Sequence, residues 1–249
     1  MNDIRLPDLK FKLWTMMRED LVQYVPSFED ADTLLCPICC RSLRYEQFSI
    51  EHILPQQAVK LDPADVRNAI IKNERSGLTL LCSETLIVGN KSYAKGCNGW
   101  KGRNFDTRIS DLLKQGPFSI QFADTHIIAL LVVGYLGLFK QYGYRVALTE
   151  SSLVVRNQFF NPRRFTKHLP LNSQMVLSGD PHTQYEPDTH AYWSDPVKVY
   201  VNGTKAIITI RNYSVILPLS YDPTVPLAKT LVYAPRKHVF RPDLRLAFE

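Results

Sequence analysis

The sequence predicts an α+β protein, and three observations predict it. Apolar residues recur at helical period near the start, short strand-like runs surround a cluster of cysteines, and an alternating hairpin pattern stands late in the chain. Of the 249 residues, 45% are hydrophobic and 22% charged, which excludes a disordered or fibrous chain. Lys and Arg total 30 against 24 Asp and Glu, a formal net charge of +6. That balance suits a polyanionic partner without dictating a fold.

Residues 1–30 form the first part. Leu9, Leu13, Trp14, Met17, Leu21 and Tyr24 fall close to helical period, so the spacing predicts a lead-in helix that packs on the rest. Residues 31–116 form the second. There, Leu43 to Leu54 reads as a strand or hairpin stopped by Pro55, which cannot donate to a ladder. Leu78 to Leu81 reads as a short buried strand, and Asn98 to Lys114 as a helix closed by Gly116-Pro117.

The third part, 117–249, is expected to be an α+β unit that recognises substrate or binds a partner. It opens with an apolar helix over 125–140. The uninterrupted apolar run inside it, Ile127 to Phe139, is 13 residues, short of the ~20 that a bilayer span needs, so a buried helix is expected and no membrane partner. An antiparallel meander follows. Val197–Val201 and Thr204–Ile210 flank Asn202-Gly203, the pair that suits a type I′ turn, and Tyr213–Leu217 adds a third strand. The N-terminal stretch mixes both signs of charge among its apolar residues, unlike a secretory signal, so a soluble, cytoplasmic protein is expected.

The five cysteines are Cys36, Cys39, Cys40, Cys82 and Cys97, an odd number confined to one third of the chain. With no export signal this is no disulfide framework. Cys36-Pro-Ile-Cys39 lets one tight turn aim two sulfurs at one metal, and Zn²⁺ takes four such ligands in a tetrahedron. Cys36, Cys39, Cys82 and Cys97 supply them, leaving Cys40 as a spare thiol. A redox Cys-x-x-Cys is the alternative, but it would need a thioredoxin-like βαβ context that the sequence lacks.

Between the two halves of that cluster stands Phe48-Ser-Ile-Glu51-His52-Ile-Leu-Pro55, an acid and an imidazole side by side at a strand end. Downstream, Cys97-Asn98-Gly-Trp-Lys101-Gly102 opens a helix with an amide and a lysine. With Cys36-x-x-Cys39 before and Leu80-Leu-Cys82 between, the order resembles the zinc-stapled HNH endonucleases over roughly residues 34–108. That resemblance implies a small ββα-metal core with a structural zinc, and a phosphodiester endonuclease acting on nucleic acid, DNA above all, as in restriction or phage defence. By position it makes His52 the general base, Glu51 and Asn98 ligands of a catalytic Mg²⁺ or Mn²⁺, and Lys101 a phosphate contact. The chemistry agrees. An imidazole titrates close to neutrality, where water must be deprotonated, and a hard cation with few protein ligands neutralises phosphoryl charge.

Two features depart from the family. Gly77 stands where an Asn usually precedes the Leu-x-x-Leu-Cys segment, with Ser76 before it and Asn73 four residues too early. The stretch Ser83 to Gly96 is an insertion where two residues are common. A geometric condition also applies: neighbouring strand residues face opposite ways, so Glu51 and His52 share a site only if a bulge or strand end re-aims one of them.

Blander readings stand beside these. Glu51-His52 is an ordinary surface pair in many proteins, Asn98 can cap its helix, and Lys101 can be a solvated lysine. Basic residues concentrate at Lys91, Lys95, Lys101, Arg103 and Arg108 against Asp106 alone, which suits phosphate contacts. A second run, Arg156 to His168, mixes four cations with three phenylalanines, which suits either stacking on splayed bases or a solvated turn over a core. The tail Pro235–Arg241 is basic too. Three functions stay open: an HNH endonuclease, a homodimer where it cuts both strands; a non-catalytic zinc-stabilised nucleic-acid-binding module; and a protein-interaction factor.

Overall fold

The computed structural model describes residues 6–61, 77–114, 124–148, 150–165, 175–177, 197–202, 205–210 and 213–218. The expected stop at Gly116-Pro117, the turn residue Gly203, Asn73, Ser76, Lys167, His168 and the basic tail lie outside the described residues. Within them the protein is a mixed α+β structure with small antiparallel sheets.

Helix α1 (Leu6–Tyr24) carries the predicted apolar stripe, with Leu9, Leu13, Trp14, Met17 and Leu21 all buried. Strands β1 (Leu34–Leu35) and β2 (Ser42–Leu43) pair antiparallel with Leu34 opposite Leu43, and so clasp the Cys36–Cys40 turn. Strand β3 (Phe48–His52) ends before Pro55, as proline requires. Its partner is not a local hairpin neighbour but β4 (Leu78–Cys82), running antiparallel from Phe48 opposite Cys82 to His52 opposite Leu78. Every residue of β4 is buried. One helical turn, α2 (Gln56–Val59), follows β3.

The inserted stretch is structured. It folds as a hairpin of β5 (Leu86–Val88) and β6 (Lys91–Tyr93). The next helix begins two residues before Asn98 and runs without a break to Lys114, widened midway: α3 (Gly96–Lys101) passes through a π turn (Gly102–Asp106) into α4 (Thr107–Lys114).

Helix α5 (Asp124–Tyr142) is the hub, with Ile128 to Phe139 buried without exception. By length and composition it could cross a membrane; here it is enclosed by protein. Short α6 (Tyr144–Ala147) and α7 (Glu150–Phe159) pack beside it. The predicted meander is present as β8 (Lys198–Asn202), β9 (Lys205–Ile210) and β10 (Tyr213–Pro218), joined by β7 (Met175–Leu177) in the order β7-β10-β9-β8. Two glycines let this sheet approach α5: a methyl group added at Gly134 would meet Ile208, and one at Gly137 would meet Val197.

One apolar cluster runs from α1 through the cysteine-bearing segment to α5 and the sheet. Tyrosines tie its parts across the expected boundary at 116. The Tyr135 hydroxyl donates to the Pro37 carbonyl at 2.7 Å, that of Tyr144 donates to Leu35, and that of Tyr213 donates to Leu112 at 3.0 Å.

Candidate functional site

Two clusters flank the β3–β4 pair and α3. The first is made of sulfur. Cys36, Cys39 and Cys97 hold their sulfurs within 4.8 Å of one another. Cys82 adjoins them: its backbone N–H donates to Cys36 Sγ at 3.5 Å, and its thiol is in hydrogen-bond contact with Cys39 and Cys97. A tetrahedral Zn–S₄ centre with bonds of about 2.3 Å spaces its sulfurs about 3.8 Å apart. The trio Cys36, Cys39 and Cys97 is compatible with a Zn²⁺ ion, while Cys82 borders it without entering the same 4.8 Å set. Hydrogen bonds from Cys36, Cys82 and Cys97 hold the Cys39 thiol far below its ordinary range, while burial pushes Cys36 up.

Local sequence builds this cluster. Cys40, with φ 53°, closes the first turn through its N–H to the Cys36 carbonyl at 2.9 Å. Gly96, with φ 54°, carries Cys97 inward; a methyl group there would run into the carbonyls of Cys82 and Glu84. Arg41, which the sequence reading passed over, donates to Cys82 Sγ at 2.8 Å and to the carbonyls of Thr85 and Glu84. A cation beside a cysteine turn is the signal that would have revealed it.

The second cluster is ionic. Lys101 is fully buried, and its ammonium meets Glu51 Oε1 at 2.6 Å, Asp106 Oδ1 at 2.7 Å and the His52 carbonyl at 3.0 Å. Three donors find three acceptors. Burial alone would lower Lys101, but the two carboxylates hold it above its ordinary value; burial pushes Glu51 up against the pull of Lys101. The expected phosphate contact at Lys101 is therefore corrected: with no exposed surface, the ammonium serves as an internal counter-ion. Asp106 reaches it only because a π turn aligns residues five apart.

The same pair bears on the expected divalent ion. The β3 ladder is regular through His52, so Glu51 and His52 leave the hairpin on opposite faces. Glu51 is 6% exposed and neutralised by Lys101. Asn98 turns its amide N–H groups to Ser49 Oγ and the Ile50 carbonyl, both at 2.9 Å, and so clamps β3 to α3. These residues do not fit a Mg²⁺ or Mn²⁺ ion between Glu51 and Asn98 in this arrangement, and the expected ligand pair is corrected to an ion pair and a strand clamp.

His52 itself stands at the end of β3, half-buried. Its Nε2 lies 3.0 Å from Nε2 of Gln56, the first residue of α2, a neighbour the sequence reading did not name. Because the Gln amide nitrogen can only donate, this contact assigns Nε2 as the acceptor, with the ring proton on Nδ1. Burial first, and the Lys101 charge second, lower the imidazole below its ordinary value, so it is a neutral base at pH 7. The backbone N–H of Ile53 bonds the Gly77 carbonyl at 2.9 Å, which ties the end of β3 to the residue just before β4.

Lys91, Lys95, Arg103 and Arg108 are exposed. Of the second basic run, Arg163 and Arg164 are exposed, whereas Arg156 is buried and donates to the Ala147 carbonyl.

Comparison with known proteins returns no match: no family model, no curated protein and no solved structure aligns with this chain.

Proposed function

We propose that this protein is an HNH-type endonuclease that hydrolyses phosphodiester bonds in nucleic acid, with DNA the favoured substrate and His52 the general base. The observation that supports it most is His52: a neutral imidazole with an acceptor nitrogen, half-open at the end of β3, on a strand pair that Asn98 and Lys101 brace from α3 beside a cysteine cluster. Zn²⁺ on Cys36, Cys39, Cys82 and Cys97 supplies rigidity, needed because so small a ββα unit buries little core of its own. His52 Nε2 takes the proton of the attacking water once the Gln56 amide swings aside; the water oxygen bonds phosphorus as the bond to the leaving oxygen breaks, and that oxygen takes its proton from solvent. No step is assigned to a divalent ion.

A second reading has its own support. The Glu51–Lys101 pair removes the carboxylate a nuclease metal would use, which favours a non-catalytic zinc-stabilised nucleic-acid-binding module.

Plasmid and oligonucleotide cleavage, with and without added Mg²⁺ or Mn²⁺, separates the two. The wild-type chain is expected to cut, and His52→Ala to lose cutting by at least a hundredfold, the usual worth of a general base, while keeping its affinity for the substrate. Binding without cutting by the wild-type chain in every metal condition selects the second reading; neither binding nor cutting leaves the interaction factor.

A further inference from the structure

The two basic runs, the first ending at Arg108 and the second starting at Arg156, meet in space. The β5–β6 hairpin, the side of α3 that carries Trp100 and the turn after α7 enclose an open groove of about 560 Å³. Four cations line it, Lys91, Arg103, Arg163 and Arg164, and among its described lining residues none is acidic. Its floor is aromatic. Tyr93 stands edge-on to Trp100 with centroids 4.5 Å apart, and Phe160 continues the wall 6.3 Å beyond Trp100.

The groove is braced. Arg103 lies over Tyr93, 5.1 Å from its centroid, and donates to the carbonyls of Gly99 and Ala94. Trp100 Nε1 donates to the Phe159 carbonyl at 2.7 Å, which joins the two walls. Buried Gln158 donates to the carbonyls of Asn161 and Arg164 at 2.7 and 2.9 Å, so the turn bearing both exposed arginines is pinned. Asn98 and Trp100 are two residues apart, about 200° around the helix. The groove therefore lies on the far side of α3 from the His52 strand and is separate from the site of cleavage.

We propose that this groove is an exosite for single-stranded nucleic acid, its phosphates on the four cations and a base against the partly exposed Tyr93 and Phe160. The proposal rests on the nucleic-acid reading above but not on cleavage. Cations without sequence readout combined with π faces describe single-strand recognition. The groove's volume falls in the range of small-ligand pockets, which admits an unpaired nucleotide and not a duplex.

The test uses the full-length His52→Ala chain, so that binding is read without cutting. Fluorescence anisotropy follows a labelled oligo(dT) of about fifteen nucleotides, within the range one such surface covers. Removing the exposed Lys91, Arg163 and Arg164 together by alanine is expected to weaken binding at least tenfold. It should flatten the plot of log affinity against log salt by about 2, at ~0.7 per lost phosphate contact. A charge-matched control, Lys12→Ala/Arg44→Ala/Lys60→Ala, removes three exposed cations elsewhere and is expected to bind nearly as well as the parent. Equal losses in the two triple variants would overturn the exosite, as would unchanged binding by the groove variant. A duplex of the same length that binds as tightly, and is lost in parallel, would overturn the single-strand assignment. None of these readouts depends on whether the wild-type chain cuts.

Discussion

The cysteine cluster and the Glu51–Lys101–Asp106 cluster brace the same short hairpin and solve opposite electrostatic problems. The first gathers four like groups that repel when ionised and need a cation from outside. The second buries two carboxylates together with their own cation, anchored also to the His52 carbonyl. One brace is suited to a metal; the other travels with the chain. The comparison teaches that the β3–β4 pair is braced at its Cys82 end by groups that a metal can join and at its His52 end by an ion pair of the chain's own.

The largest expected effect breaks the sulfur brace. Structural zinc in small domains is worth on the order of 10 kcal/mol, as much as the whole stability of many proteins. The wild-type chain is expected to hold one zinc by metal analysis, and Cys97→Ser, or chelation of the wild type, to unfold the hairpin region by circular dichroism. Full stability in a strong chelator would show that thiol packing alone holds the cluster.

Breaking the internal brace comes next. Lys101→Met leaves Glu51 buried without a partner, and removing one member of a buried pair costs about 3–5 kcal/mol. Denaturant unfolding should show that loss, and the double variant Lys101→Met/Glu51→Gln should recover much of it, since the stranded charge goes too. If the double variant is no better than the single one, packing and not charge is what Lys101 contributes. Its zinc content should stay at the wild-type value, which sharpens the contrast between the two braces.

The smallest effect concerns Arg41, a cation that donates to the sulfur of Cys82. A hydrogen bond to a charged group is worth about 1.5–3 kcal/mol. Arg41→Gln is therefore expected to weaken zinc retention in a chelator competition without unfolding the chain, and an unchanged competition curve would remove Arg41 from the cluster's electrostatics.

Much of the architecture was legible in residue order. Helical period in α1, the alternating strands of the meander and the Cys-x-x-Cys turn are local patterns, and local patterns survive folding. The gathering of Cys36, Cys39 and Cys97 was legible because a Cys-x-x-Cys turn with further thiols in one region suits few chemistries other than metal binding. The β5–β6 hairpin was not, since two three-residue strands with a polar face carry almost no period. The site was read less completely than the frame. Glu51 stood out beside a histidine and Lys101 beside an amide at a helix start, yet nothing in their order shows that they face each other.

What the sequence by itself determined is the inventory and its coarse order: a helix, a cysteine frame around an imidazole, a buried apolar helix and a meander. What only the tertiary structure decided is which charges face water and which face each other. A π turn, invisible to a 3.6-residue period, brings Asp106 onto Lys101 and converts an expected phosphate contact into an internal counter-ion. The packing of α7 against α3 brings two distant basic runs onto one groove. Both outcomes depend on approach through space, where burial sets the electrostatic stakes, and neither burial nor approach is written in spacing along the chain.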